Sequence, residues 1–159
     1  RVYASPNKKL LSKKLKKILN KENDKKIFGK IKNLNLFRKK FNHKIKKLLI
    51  DLKRQKNKIY GIGAAPRACA MLNSCNITKN QISLIGEVPQ SLKCDKYMPG
   101  TNIIVRDENK IIDDKPDFVV ILAWHLVKRI ISLFTQKGYK GSFIVPLPNL
   151  KIIKTKKKS

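Results

Sequence analysis

The sequence is poor in the residues that build metal sites, disulfide frameworks and catalytic triads. It has three cysteines, Cys69, Cys75 and Cys94, and two histidines in 159 residues. No C-x-x-C spacing occurs, so neither a zinc site nor a disulfide framework is supported, and free thiols are expected. No Ser-His-Asp or Cys-His arrangement is found, and no pair of carboxylates at helical spacing in an apolar setting. We therefore predict no metal ligand and no catalytic residue in this chain.

Long apolar stretches are also missing. No segment approaches the roughly 20 uninterrupted apolar residues that a membrane-spanning helix needs. The first residues lack the apolar core of a secretion signal. We therefore expect a soluble, cytoplasmic protein without a membrane partner. Apolar residues still make up 42% of the chain, which is enough for one domain with a real core.

Acidic residues are scarce, 10 against 38 Lys and Arg, and the formal net charge is +28. Such a charge suits a basic RNA-associated protein, because contacts to phosphates release counterions. Its distribution disfavours this function: residues 1–60 hold 22 basic and 3 acidic residues, whereas residues 61–150 hold 11 and 7. Lysine outnumbers arginine 32 to 6, whereas RNA-recognition modules add arginine and exposed aromatic residues. RNA association therefore stays the second alternative, behind binding of a small anion.

The N-terminal third has the pattern of amphipathic helices. Leu11, Leu15 and Ile18 fall at i, i+4 and i+7, and apolar residues repeat at helical spacing over residues 37–52. Residues 20–35, between these two segments, are polar and irregular, although Ile27, Phe28 and Ile31 could continue a helix or dock a turn. The pattern predicts a lysine-rich helical arm with a solvated basic face, and a membrane-surface or RNA-binding helix is the alternative.

From Lys58 onward, short apolar runs alternate with helical stretches, as in a parallel sheet covered on both faces. The predicted strands are residues 58–62, 82–88, 102–105, 118–122 and 143–145. The predicted helices are residues 66–75 and 124–137. The fold class is therefore α/β, a small Rossmann-like parallel sheet preceded by the helical arm.

The first of these strands runs into a Gly-x-Gly turn, in the sequence K-I-Y-G-I-G-A-A-P-R. We predict that Gly61 and Gly63 allow positive φ and a close approach of the backbone to a ligand, and that Pro66 opens the next helix. The free N–H groups of that helix would then face a phosphate. The third glycine of the dinucleotide fingerprint is missing. This argues mildly against the first alternative function, a stand-alone Rossmann-like module that binds a dinucleotide or another anion.

Ligands of open α/β sheets bind beyond the carboxyl ends of the strands, and this rule selects the candidate residues. The predicted substrate-binding residues are Gly61, Gly63, Ala64, Ala65, Pro66, Arg67, Glu87, Lys96, Tyr97, Pro99, Gly100, Thr101, Trp124, His125 and Pro146. Arg67 is expected either to bind a phosphate as a bidentate donor or to be an exposed helix residue. Glu87 is expected either to contact a sugar hydroxyl or to pair with Lys93 or Lys96.

Two further candidates have both a functional and a structural interpretation. Residues 96–101 could form a lid over an anion, in which Lys96 and Tyr97 reach the ligand, or a plain turn that leads into the next strand. His125 could face the cleft as a proton donor, but a histidine at a helix start is more often a cap or a surface residue.

Four motifs carry a family resemblance: the Gly-x-Gly turn, K-Y-M-P-G-T at residues 96–101, K-P-D-F-V-V-I-L-A-W at 115–124 and S-F-I-V-P-L-P at 142–148. In this order they resemble the C-terminal domain of the S-adenosylmethionine-dependent sugar C-methyltransferases, over essentially all of residues 1–150. The opening R-V-Y-A-S looks like the last strand of that family's preceding domain, so a fragment is expected. The family usually has lysine at Arg67, more often has Asp at Glu87 and commonly has asparagine at His125, which leaves a degenerate structural cap open.

The resemblance implies a full-length enzyme that moves a methyl group from S-adenosylmethionine to a ring carbon of a nucleotide-linked keto-sugar. In the family, a zinc-binding domain and an S-adenosylmethionine domain with the general base precede this region, so the chain alone is expected to be inactive and to bind no cofactor. Its partners would be the nucleotide-diphosphate sugar and its own upstream methyltransferase domain. The implied domains are residues 1–57, the end of the preceding domain and the arm; 58–150, the Rossmann-like domain; and 151–159, a frayed basic tail.

Overall fold

The structure of the chain, a computed structural model, describes residues 11–22 and 25–155, without the side chains of residues 25–28 and 30–32. The R-V-Y-A-S segment that was predicted to be a strand lies outside the described residues. The chain divides into two compact units, residues 1–40 and residues 41–159.

The described elements follow the order expected of an α/β domain preceded by helices. The helices are α1 (Lys13–Glu22), α2 (Lys25–Arg54), α3 (Pro66–Ser74), α4 (Asn109–Asp114) and α5 (Val127–Gln136), with a short 3-10 helix (Trp124–Leu126) before α5. The strands are β1 (Ile59–Ile62), β2 (Leu84–Glu87), β3 (Tyr97–Met98), β4 (Ile103–Asp107), β5 (Phe118–Ile121), β6 (Ser142–Val145) and β7 (Lys151–Lys154).

The strands form one sheet in the order β3-β4-β2-β1-β5-β6-β7. The five strands from β4 to β6 in this order are parallel, and β3 and β7 pair antiparallel at the two edges. The predicted α/β class with a Rossmann-like parallel sheet is confirmed. All five predicted strands are present, and their ends lie within two residues of the predicted ends.

Three elements were missed by the sequence analysis. α4 was not predicted, and β3 lies within the segment for which a lid or a plain turn was predicted. The prediction of a frayed tail was wrong for Lys151–Lys154, which forms β7. Its two isoleucines pair with residues of β6, Ile152 with Ile144 and Ile153 with Phe143, so the sheet extends by one edge strand.

The N-terminal unit holds α1 and the first part of α2. α1 begins after Ser12, whose Oγ accepts a hydrogen bond from the N–H of Leu15 at 3.2 Å, as expected of a serine cap. Of the two possibilities for residues 20–35, an irregular segment or a continued helix, the structure has the helix over most of the length: α1 continues to Glu22 and α2 begins at Lys25. Lysine, leucine and isoleucine tolerate a helix well, and the single Gly29 costs only about 1 kcal/mol there.

In the second unit, helices cover both faces of the sheet. α3 and the last part of α2 pack on one face, where the stripe of Ile45, Leu49 and Leu52 is buried in the larger core cluster. α4 and α5 pack on the other face, in a cluster that contains four aromatic rings, three of them in mutual edge-to-face contact. The carboxyl edge of the sheet is therefore held between two packed layers.

Within the described part of the chain, no helix combines the length and the apolar character needed to cross a membrane. The same residues contain no group of three or more His, Cys, Asp or Glu side chains that could hold a metal ion.

At the amino edge of the sheet, Tyr60 and Asp114 tie β1 to α4. The Tyr60 hydroxyl donates to Asp114 Oδ2 at 2.7 Å. The ammonium groups of Lys58 and Lys110 lie 3.8 and 3.3 Å from the same carboxylate. The hydrogen bond from Tyr60 holds the pKa of Asp114 below its usual range, and burial together with this bond raises the pKa of Tyr60.

We expect Tyr60→Phe to lower the free energy of unfolding by about 1–2 kcal/mol at neutral pH, because a partly buried carboxylate loses its donor. A carboxyl group whose pKa is depressed in the fold stabilises it above the ordinary carboxyl pKa, and this contribution is lost as the pH falls through the folded pKa. The difference between wild type and variant should therefore shrink from about pH 7 to about pH 3. Urea denaturation at both pH values measures it, and an equal difference at both would contradict the role of the charge.

Candidate functional site

The candidate site lies at the carboxyl edge of the sheet, where the direction of the chain connections reverses. From β1 the chain passes through α3 to β2 on one side of β1, and from β4 it passes through α4 to β5 on the other side. Such a reversal leaves a crevice between the loops that follow the two central strands. Here these loops are residues 63–65, after β1, and residues 122–126, after β5.

The two glycines of the turn have different roles. Gly63 has a φ of +98°, and a Cβ atom on it would lie 2.7 Å from the Cβ of Ala123. Gly61 lies inside β1, where a Cβ atom would meet Leu122 Cδ1 at 3.0 Å and Ile85 Cγ1 at 3.1 Å. Positive φ was thus predicted correctly for Gly63 and wrongly for Gly61, which is required by packing between neighbouring strands.

The N–H groups of the turn already have acceptors within the chain. Gly63 donates to the carbonyl of Gly86 at 2.9 Å, and Ala65 donates to the carbonyl of Gly63 at 3.0 Å. Ala64 donates to Glu87 Oε2 at 2.8 Å. Pro66 opens α3, as predicted. A phosphate could use the backbone of this turn only after displacing a carboxylate, so the turn alone is a poor phosphate cradle.

Glu87, the last residue of β2, organises this corner of the edge. Its carboxylate accepts the hydrogen bond from the N–H of Ala64 and also lies 3.4 Å from the Lys93 ammonium. The side chain is only 14% exposed. Its Oε1 accepts from the N–H of Val88 at 3.2 Å. Of the two ion pairs considered from the sequence, the structure has the one with Lys93. Contact with a sugar hydroxyl stays a prediction.

Arg67, Trp124 and His125 meet at the crevice. Arg67 lies exposed in the first turn of α3, and its Nη1 is 3.4 Å from His125 Nδ1. Its guanidinium carbon lies 6.0 Å from the centroid of the Trp124 ring, a distance at which a cation is attracted by an aromatic face. Arginine only donates, so a hydrogen bond between these two atoms needs Nδ1 of the His125 ring as its acceptor. The cluster presents a planar, always charged donor to solvent, a group suited to phosphate.

The segment of residues 96–101 is fixed to the domain. Tyr97–Met98 pairs with β4 as β3. The carbonyl of Pro99 accepts from Asn73 Nδ2 at 2.9 Å and from Cys69 Sγ at 3.4 Å, which ties the turn to α3. Gly100 has a φ of +74°, and a Cβ atom on it would lie 2.1 Å from Asn73 Oδ1. This geometry favours a fixed wall over a lid.

Besides Gly61 and Ala64 of the turn, two predicted site residues are buried. Thr101 is 2% exposed, and its hydroxyl donates to the carbonyl of Met98 at 2.9 Å within the turn. Pro146, directly after β6, is buried. Lys96 and Tyr97 are exposed and can meet a ligand. We leave Thr101 and Pro146 out of the site that is proposed below.

The structure thus brings together Arg67, Trp124 and His125 as one cluster and the glycine turn with Glu87 as another. Sequence reasoning missed Asn73, which fixes the wall. A lone asparagine four residues after Cys69 carries no sequence signal for a contact 26 residues away along the chain.

The fold and the site define an α/β domain with Rossmann-like strand order and an exposed arginine at its switch point. The chain belongs to the family described as the C-methyltransferase C-terminal domain, which matches residues 1–148. It is 30% identical over 98 residues to the C-methyltransferase NovU of Streptomyces niveus. This match covers 60% of the chain and 23% of NovU, so the chain matches less than a quarter of that relative's length. The predicted family membership is confirmed.

Proposed function

We propose that this domain is the substrate-side domain of an enzyme that transfers a methyl group from S-adenosylmethionine to a carbon of a nucleotide-linked keto-sugar. The observation that carries the proposal is the exposed Arg67 guanidinium at the switch point, beside Trp124 and His125. Membership of the C-methyltransferase family supports methyl transfer as the reaction of the full-length protein.

In this proposal the chain holds the diphosphate of the substrate. Arg67 donates to the phosphate oxygens, and the Trp124 ring limits the orientations of its guanidinium group. Lys96 and Tyr97, on the fixed wall, contact the nucleoside. Binding energy from these groups, which are remote from the reacting carbon, positions the sugar for the reaction.

The residues of the glycine turn do not fit S-adenosylmethionine or a dinucleotide. Its three N–H groups are bonded to Gly86, Glu87 and Gly63, and the carboxylate of Glu87 occupies the place of a ligand acceptor. We therefore assign the methyl donor to another domain of the full-length protein, and no residue of this chain is assigned to the chemical step.

We expect Arg67→Ala to weaken binding of a nucleoside-diphosphate sugar about 10- to 100-fold. Hydrogen bonds to charged groups contribute about 1.5–3 kcal/mol, and each 1.4 kcal/mol is about tenfold in Kd. Calorimetric titration of the purified chain at about physiological ionic strength measures the change.

Arg54→Ala is the matched control. Arg54 ends α2, before β1 begins at the opposite edge of the sheet. Its side chain is 78% exposed, and its ion pair with Asp51 is 3.7 Å long. It should bind like wild type. Equal binding by wild type and Arg67→Ala would contradict the site. Preferential binding of a dinucleotide would favour the stand-alone module, and RNA binding that falls steeply with salt would favour the RNA-associated alternative.

A further inference from the structure

We propose that His125 is the second cation of the phosphate site, and that it takes up a proton from solvent when a diphosphate binds. This inference rests on the proposed function, because it assigns a second residue to the site that contains Arg67. It predicts that the domain binds its substrate more tightly at lower pH.

The contact between the two side chains favours an unprotonated Nδ1 in the absence of ligand. His125 Nδ1 lies 3.4 Å from Arg67 Nη1, and a hydrogen bond between these atoms needs Nδ1 as the acceptor. An imidazolium ring has two N–H donors and no acceptor. Protonation without an anion would therefore break this bond and place two positive charges in contact, which costs free energy.

A bound diphosphate reverses this balance. The Arg67 guanidinium turns its donors toward one phosphate group, which leaves His125 Nδ1 without its donor. A proton taken up at Nδ1 then gives the ring two donors and a positive charge, and the ring donates to the second phosphate group. Histidine is the side chain that ordinarily changes charge between about pH 5 and 8, and this range is therefore the one in which binding is to be compared.

The charged groups around His125 are mostly basic, so an anion that binds here meets little competition from carboxylates of the chain. Arg67 of α3 is the charged group in contact with the ring. On the helix that follows, Lys128 and Arg129 are exposed and add positive charge. Among residues 11–22 and 25–155, no ion pair joins a carboxylate to Arg67 or His125. Of the acids at this edge, Glu87 is already bound by Ala64 and Lys93, and Glu108 is paired with Lys137.

The test uses a nucleoside-diphosphate sugar, in which both phosphates are esterified and carry no proton that titrates near neutral pH. We expect the Kd of the wild-type chain to be about tenfold lower at about pH 6 than at about pH 8, which corresponds to one added charge at contact distance in a partly exposed site. Calorimetry in two buffers of different ionisation enthalpy should show that protons are taken up on binding.

His125→Asn keeps the contact with Arg67 but removes the group that takes up the proton. The asparagine amide oxygen can accept from Arg67, but it does not titrate. This variant should bind at both pH values with a Kd near that of wild type at high pH, and with no proton uptake. His43→Asn, at the other histidine of the sequence and exposed on α2, should behave like wild type.

The outcomes distinguish this inference from the proposed function. Binding by wild type that does not change with pH would overturn the role of His125 and leave the substrate site intact. A pH dependence of binding that remains in His125→Asn would also overturn the role of His125 and leave the substrate site intact. Absence of binding at both pH values would overturn the substrate site itself, and the role of His125 with it.

Discussion

Phe134→Ala is expected to lower the free energy of unfolding by about 3–5 kcal/mol, the usual cost of deleting a buried aromatic ring. Phe134 is 1% exposed. Its ring meets Tyr139 and Phe143 edge to face, with centroids 6.1 and 6.2 Å apart, and such contacts add about 0.5–1.5 kcal/mol each to the burial. Because alanine favours a helix, the loss reports packing of α5 against the sheet and not helix propensity.

Urea denaturation checks this value through the midpoint at an unchanged slope. Leu92→Ala is the control, because Leu92 is 87% exposed and its truncation should change stability by no more than about 0.5 kcal/mol. A loss below about 1 kcal/mol for Phe134→Ala would show that α5 does not pack on this face.

The five parallel strands could be predicted because each one contains a short apolar run. A strand covered on both faces needs such a run whatever its neighbours are. The edge strands lack this signal. β3 is the pair Tyr97–Met98, and β7 has only two isoleucines, between Lys151 and Lys154. Such a short segment forms a strand only if it meets the unpaired edge of β4 or β6 in the fold. The local sequence gives no information about that edge.

The candidate site could also be predicted only in part from the sequence. Parallel strands all end at one edge, so the sequence could predict that Arg67, Glu87 and His125 share this edge. Hydrogen-bond partners and accessibility depend on contacts between segments far apart in the chain. The bond from Ala64 to Glu87 and the burial of Thr101 therefore became visible only in the structure.

Gly63→Ala is expected to lower the free energy of unfolding by about 2–5 kcal/mol. A Cβ atom at positive φ costs about 1–2 kcal/mol, and overpacking adds about 1–3 kcal/mol. The new atom would lie 2.7 Å from the Cβ and 3.1 Å from the backbone nitrogen of Ala123. A backbone atom cannot move aside as the end of a flexible side chain can, so the turn after β1 and the end of β5 must separate.

Gly138→Ala isolates the conformational part of this cost. Gly138 has a φ of +84°, and nothing lies within 4 Å of the position of its Cβ atom, so its replacement should cost only about 1–2 kcal/mol. The difference between the two variants, measured by urea denaturation, is the contribution of the contact with Ala123. Since Ala123 directly precedes Trp124, Gly63→Ala should also weaken anion binding, whereas Gly138→Ala should not. Equal losses of stability in both variants would mean that the turn after β1 does not pack against the end of β5. The relative position of Arg67 and His125 would then not be fixed by this contact.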